Sequence, residues 1–211
     1  IKNKFSVKII VNKKNLGAGE SRNVGIKFSK TKYIAFLDSD DLWHKDKLRL
    51  QLDYMINSQI PISHTSYNII NELGKTISKR KSKKNLNYED ILNSCDIGLS
   101  TVIIEKSLLK KNNLRFPNIK TKEDYILWLN ILKKISQIKG LSAKLTYYRK
   151  RKNSLSSNIM TNIINGFKVY RYYMKMGYLE SFYRLTILSV NFFKKKIIYD
   201  IFWFILFLLE R

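Results

Sequence analysis

Three carboxylates within four positions, Asp38, Asp40 and Asp41, follow an apolar run over residues 33–37 (YIAFL). A buried strand that delivers acids to its C-terminal end suits a divalent cation and a phosphate ligand. In open α/β sheets the ligand crevice lies outside the carboxyl ends of the strands. Mg2+ and Mn2+ take oxygen ligands, commonly one or two carboxylates together with substrate phosphates. The same acids also fit a helix start near Leu42, with Asp40 or Asp41 as the N-cap. Upstream, Gly17 and Gly19 permit unusual backbone angles before a helix expected over 21–29, where free N–H groups can cradle a phosphate. Arg22 offers a planar guanidinium suited to bidentate contact with phosphate or a base edge. Its plain alternative is an exposed helix charge. Downstream, Thr121 and Asp124 stand three apart at the start of an apolar helix expected over 121–136, a spacing close to a capping box.

The elements that position these groups are read from apolar periodicity and turn residues. Strands are expected over 5–11, 33–37, 60–70, 98–104 (with a turn) and 141–148. An amphipathic helix is expected over 45–57, with Leu48, Leu52, Met55 and Ile56 on its apolar side. Short helices are expected over 87–94 and 106–112, and a hairpin or basic loop over 73–86. From residue 159 on the chain reads as helical and aromatic. Its end, 197–209, follows three lysines. As a helix it would be about 20 Å long, short of the roughly 30 Å of bilayer hydrocarbon, and it contains Asp200. Two readings stand for it: an interfacial helix at an anionic lipid surface, or a helix packed on protein.

The segments 15–25 (NLGAGESRNVG), 33–43 (YIAFLDSDDLW) and 121–129 (TKEDYILWL), in that order, resemble the family 2 glycosyltransferases, inverting enzymes that use nucleotide sugars. The resemblance covers residues 5–157. It implies an α/β fold of the GT-A (Rossmann-like) kind, a mixed sheet flanked by helices, with a helical C-terminal extension. The expected division is a catalytic domain over 1–157, N-terminally incomplete, and an extension over 158–211. Family members begin with a further strand and helix that hold the nucleotide base, so the chain reads as a fragment or a shortened relative.

The resemblance implies site roles as well. Gly17, Arg22, Asn23, Asp38, Ser39 and Arg149 are expected to bind the nucleotide sugar, Asp38 at the ribose and Arg149 at the diphosphate. Asp40 is the expected ligand of Mn2+ or Mg2+, and Asp41 a support for the turn or the metal shell. Asp124, with Glu123 second, is the expected general base, since an inverting transfer needs a carboxylate to take the proton of the attacking hydroxyl. Ser100 and Thr101 are expected either to line the pocket or to be buried hydroxyls. After Arg149, relatives often carry a histidine where this chain has Lys150, Arg151 and Lys152. The implied donor is UDP-linked. The implied acceptor is a carbohydrate or lipid-linked glycan of bacterial surface polysaccharide, at the cytoplasmic membrane face; an oligomer is compatible with this.

The bulk properties bound these expectations. The chain has 211 residues and is 45% hydrophobic, enough for one sizeable core. A formal net charge of +24 predicts attraction to polyanions. Nucleic acid is one such partner, but no recognised nucleic-acid motif accompanies the charge, and none is expected to bind. A single cysteine, Cys95, excludes an internal disulfide and a cysteine-based metal cluster. His44 and His64 stand isolated, and no zinc-protease pattern or signal peptide is present. The rival to the enzyme is a truncated, non-catalytic relative that binds a partner or membrane.

Overall fold

The computed structural model describes residues 7–151 and 158–209, with side chains described as far as Lys194. The sheet is mixed and seven-stranded. Its main path runs β1 (Tyr33–Ala35), β6 (Ile103–Glu105), β3 (Ile62–Ile70), β7 (Ile138–Arg149) and β2 (Leu42–Trp43). β4 (Thr76–Arg80) pairs with β3 as a hairpin turned by Gly74 at φ 82°, and β5 (Asn85–Leu86) pairs with β7. β1 and β3 each pair antiparallel with β6, and β3 pairs parallel with β7. So β1, β3 and β7 all run the same way. Their C-terminal ends open onto one edge, the edge where α/β sheets bind ligands.

The helices are α1 (Gly17–Phe28), α2 (Lys47–Asn57), α3 (Tyr88–Asn93), α4 (Lys106–Lys111), α5 (Glu123–Leu132), α6 (Ile159–Lys168) and α7 (Tyr178–Leu209). A 3-10 turn covers Leu99–Thr101, and a π-helical turn, Val169–Tyr173, links α6 to α7. They cover both sheet faces because strand side chains alternate. Ile62 and Ile104 join a cluster with Tyr125, Trp128, Leu129 and Leu132 of α5, whereas the adjacent Ser63 meets Gln51 of α2. Val169, Tyr170, Met174 and Leu188 belong to the same buried cluster, so the helices after residue 158 pack directly on α3 and α5.

Four expectations change. Val7–Val11 is not a strand; Val7, Ile9 and Val11 are exposed, and a strand exists only where a neighbouring ladder satisfies its backbone. Phe5 and Ser6 lie outside the described residues. The first helix starts at Gly17, four residues earlier than expected, with φ 75° at that glycine. On α2 the buried residues are Lys47, Gln51 and Met55, while Leu48 and Ile56 are exposed. Gln51 is buried because it has partners: its amide Nε2 donates to the Ser63 carbonyl, the Ser63 hydroxyl and the Thr101 carbonyl. Finally, neither Asp40 nor Asp41 caps a helix, since α2 begins at Lys47 after a short strand.

The basic loop over 152–157 and the side chains of 197–209 lie outside the described residues. Among the described residues no helix is long and apolar enough to cross a membrane.

Candidate active site

The acidic turn is built from below. Asp41 N–H donates to the Asp38 carbonyl at 3.0 Å, folding the chain back after β1. Ser100, buried in the 3-10 turn, accepts from Asp38 N–H at 3.1 Å and hydrogen-bonds to the Asp41 carboxylate. Its carbonyl accepts from Trp43 Nε1 at 2.7 Å and from Thr146 Oγ1 at 3.2 Å. Asp41 is 5% exposed and accepts the Arg149 N–H at 2.8 Å. Burial raises its carboxyl, against the hydrogen bonds from Ser100 and Arg149. Of the three acids, Asp41 therefore holds the turn, while Asp38 and Asp40 reach solvent.

Arg149 ends β7 beside this turn. Its Nε donates to the Asp40 carbonyl at 2.9 Å, and Nη1 donates to the carbonyls of Asn71 and Glu72. One guanidinium thus ties together the C-terminal ends of β1, β3 and β7. The Asp40 carboxylate lies 3.4 Å from Arg151 Nε. Ser39, between the two solvent-facing acids, sits in the turn itself.

Arg22 joins the turn to the second acidic motif. Its Nη2 donates to Asp38 Oδ1 at 2.8 Å and its Nη1 to Glu123 Oε1 at 2.5 Å. The guanidinium also lies 5.6 Å from the centroid of the Phe116 ring. Arg22 is 19% exposed and Glu123 12%, so that pair is shielded from solvent, whereas Asp38 is 38% exposed. Gly19 lets α1 come this close: a Cβ there would sit 3.0 Å from the Pro117 carbonyl and 3.2 Å from Glu123 Cγ. Asn23, one residue on, turns its amide to Phe116, donating to its carbonyl at 2.9 Å and accepting its N–H at 3.0 Å. Asn23 thus fixes the loop before α5, and Gly17 opens the helix that carries both residues.

Asp124 follows Glu123 in the first turn of α5. Its Oδ1 accepts from Tyr125 N–H at 2.7 Å. Burial, and then the charge of Glu123, push its carboxyl up to about 6. That value suits proton abstraction near neutral pH, where a base works best. The expected capping box is absent: Lys122 is the N-cap, at φ 73°, and Thr121 is not the capping residue. Glu123, paired with Arg22, leaves Asp124 as the acid without an arginine partner in this turn.

Two residues do more than the sequence suggested. Ser100 is a buried hydroxyl, one of its two expected readings, and it is the hub of the acidic turn, a role that its place in the sequence did not mark. Tyr148 is 39% exposed and lies edge-on to Tyr67 at 6.1 Å. Burial raises its hydroxyl, and the charges of Asp41, Asp40, Asp38 and Asp124 all add to that, so it feels both acidic motifs. Among the described residues no group of three metal-ligating side chains is present. Carboxylate oxygens at Asp40 fit a hard cation that draws its other ligands from a diphosphate and water.

The model of Glycosyl transferase family 2 matches residues 1–115, which includes the acidic turn and Arg22. A putative teichuronic acid biosynthesis glycosyltransferase, TuaG of Bacillus subtilis (strain 168), is 31% identical over 192 residues, 90% of this chain and 75% of that protein. The Escherichia coli UDP-Glc:alpha-D-GlcNAc-diphosphoundecaprenol beta-1,3-glucosyltransferase WfgD is 36% identical over 157 residues, 72% of this chain and 59% of its own length. The crystal structure of Staphylococcus aureus TarS 1–349 in complex with UDP-GlcNAc aligns with a TM-score of 0.60 at 21% identity, covering 81% of this chain and 51% of that one. The chain thus spans between half and three quarters of these three proteins. The fold is of the GT-A type, and with the family model matching more than half its length the chain belongs to glycosyl transferase family 2.

Proposed function

We propose that the chain transfers a sugar, with inversion, from a UDP-linked donor to a carbohydrate or lipid-linked acceptor in bacterial surface glycan synthesis. The observation that carries this is the Arg22 bridge, which brings Asp38 of the acidic turn and Glu123 of the acidic pair onto one guanidinium. In this reading the donor-binding group and the acidic pair that carries the proton acceptor are neighbours through that guanidinium. The relatives support the substrate class: one is named for a UDP-glucose donor and a diphosphoundecaprenol-linked acceptor, another for teichuronic acid biosynthesis.

In this reading Asp38 receives the ribose and Arg22 orients the nucleotide. Asp40 holds Mn2+ or Mg2+, which when bound neutralises charge on the leaving diphosphate. Asp41, Ser100 and Arg149 keep Asp38 and Asp40 in place. Arg149 has its guanidinium committed to three carbonyls, so it acts on the diphosphate through the turn it holds. Asp124 takes the proton of the acceptor hydroxyl as its oxygen attacks the anomeric carbon. Its carboxyl, raised to about 6, is largely ionised at pH 7 and still basic enough to accept that proton. The basic, aromatic C-terminal region would rest on the membrane that carries a lipid-linked acceptor, its lysines at anionic headgroups.

The test is Asp124→Asn, assayed by UDP release from UDP-glucose and UDP-N-acetylglucosamine with a polyprenyl-diphosphate-linked sugar as acceptor. Turnover should fall by about 10²–10⁴-fold while UDP affinity holds. A variant with full turnover removes Asp124 from the chemistry.

A further inference from the structure

The first turn of α5 carries Glu123 and Asp124, yet no side chain caps it locally. Lys122 at the N-cap sits at φ 73°, a left-handed backbone that non-glycine residues rarely adopt, and makes no capping hydrogen bond. Two buried contacts from the segment after residue 158 hold this turn instead. Asn165 Nδ2 donates to Thr121 Oγ1 at 2.8 Å, with both residues under 10% exposed. The Tyr170 hydroxyl donates to the Leu92 carbonyl at 2.7 Å. The Tyr125 hydroxyl lies 3.0 Å from the same carbonyl and 2.9 Å from the Tyr170 hydroxyl. Both tyrosine rings are fully buried, edge to face.

Thr121 and Tyr125 bracket Glu123 and Asp124 in sequence, so the two contacts grip the acid-bearing turn from both sides. Tyr170 lies within the π-helical turn, where Met176 N–H reaches back to its carbonyl at 3.0 Å. Such irregular turns recur at functional sites. The anchor at the far side is α3, tied to α7 by Arg184 on Glu89 and by Asn191 on the Asn93 carbonyl.

We propose that Asn165 and Tyr170 are positioning residues for transfer, fixing the first turn of α5 so that the Asp124 carboxylate stays at its place in the cleft. The proposal rests on reading Asp124 as the base. The charged and titratable groups that face Asp124 are Glu123 and Lys122 beside it, Arg22 from α1 and Tyr148 from β7. Asn165 and Tyr170 are not among them; they act by placement. Placement is enough, because a base displaced by about 1 Å can lose on the order of 10²-fold in rate.

The test uses the full chain with Asn165→Ala, Tyr170→Phe, Thr121→Val and Thr121→Ser. Three quantities are measured: the ionisation midpoint of Asp124 by carboxylate-carbon NMR, assigned with Asp124→Asn; UDP affinity with Mn2+ by calorimetry; and turnover. Asn165→Ala and Thr121→Val should free the turn, let water reach the carboxyl, and lower its midpoint by about one unit, toward an ordinary aspartate. Turnover should fall about tenfold or more while UDP affinity stays within about twofold. Thr121→Ser keeps the hydroxyl and should restore the wild-type midpoint. Tyr170→Phe keeps the ring, folds without a cavity, and should shift the midpoint in the same direction by less. An unchanged midpoint and unchanged turnover in folded Thr121→Val and Tyr170→Phe overturn the proposal. If Asp124→Asn is inactive in that case, the base reading survives; if Asp124→Asn is fully active, it is the base reading that fails.

Discussion

The acidic turn over residues 38–41 and the acidic pair at 123–124 meet on one arginine but are held in different ways. The turn is held by the sheet. Ser100, Trp43, Thr146 and Arg149 all come from strands or the 3-10 turn beside it, and their bonds close over the ends of β1, β3 and β7. The pair stands on a helix whose start is held by α1 on one side and by the α6 segment on the other. Sheet support fixes a group that must keep one geometry for a cation and a diphosphate. Helix support lets the second group be set by elements that come late in the chain, and a few hydrogen bonds there decide where the carboxylate stands.

The largest effect should follow from Ser100→Ala, which removes the acceptor of Asp38 N–H and the partner of the buried Asp41 carboxylate. Leaving those groups unsatisfied should cost about 1–3 kcal/mol, or several degrees in melting temperature. UDP binding with Mn2+ should weaken with it, while the Asp124 midpoint stays near about 6. A shift at Asp124 in this variant would mean that the two regions are one rigid unit.

A smaller effect is expected beneath the turn. Lys47 is buried, with Nζ 2.7 Å from Gln51 Oε1 and 4.6 Å from the centroid of the Trp43 ring. Burial lowers its ammonium from the ordinary 10.5 to about 7. Between those values the unfolded chain binds a proton that the folded chain lacks, so stability rises with pH across that window. Below about pH 7 the full penalty of burying the charge remains. Lys47→Met should flatten the slope between pH 7 and 10 and stabilise the protein at pH 7 by about 1–2 kcal/mol, seen by thermal melts across pH. An unaltered slope would show that the ammonium reaches water.

The contrast between the regions also explains what was legible in the sequence. The apolar run into three acids marked β1 and the turn, because apolar residues and charge are adjacent in the chain, although β1 is a partly buried edge strand that stops at Ala35 and Leu37 is exposed. The roles within the turn were harder: Asp38, Asp40 and Asp41 are chemically alike, and only the contacts of Ser100 and Arg149 separate the structural acid from the two exposed ones. On α2 the apolar pattern pointed to Leu48 and Ile56, and the structure buries Lys47 and Gln51 instead, because Gln51 finds partners 12 and 50 positions away and itself accepts from Lys47. At α5 the Thr121–Asp124 spacing looked like a capping box, but Thr121 meets Asn165, 44 residues on. Local patterns were readable where the contact was local; contacts made across the fold left no mark in the spacing.

The central claim is that the turn binds the nucleotide and its metal, while the pair serves the acceptor. Calorimetric titration of UDP, with and without Mn2+, into the wild-type chain, Asp40→Asn and Asp124→Asn tests it most directly. The account predicts Mn2+-dependent binding that Asp40→Asn weakens about tenfold or more and Asp124→Asn leaves within about twofold. Equal binding by the wild type and Asp40→Asn, or binding indifferent to Mn2+, would contradict it.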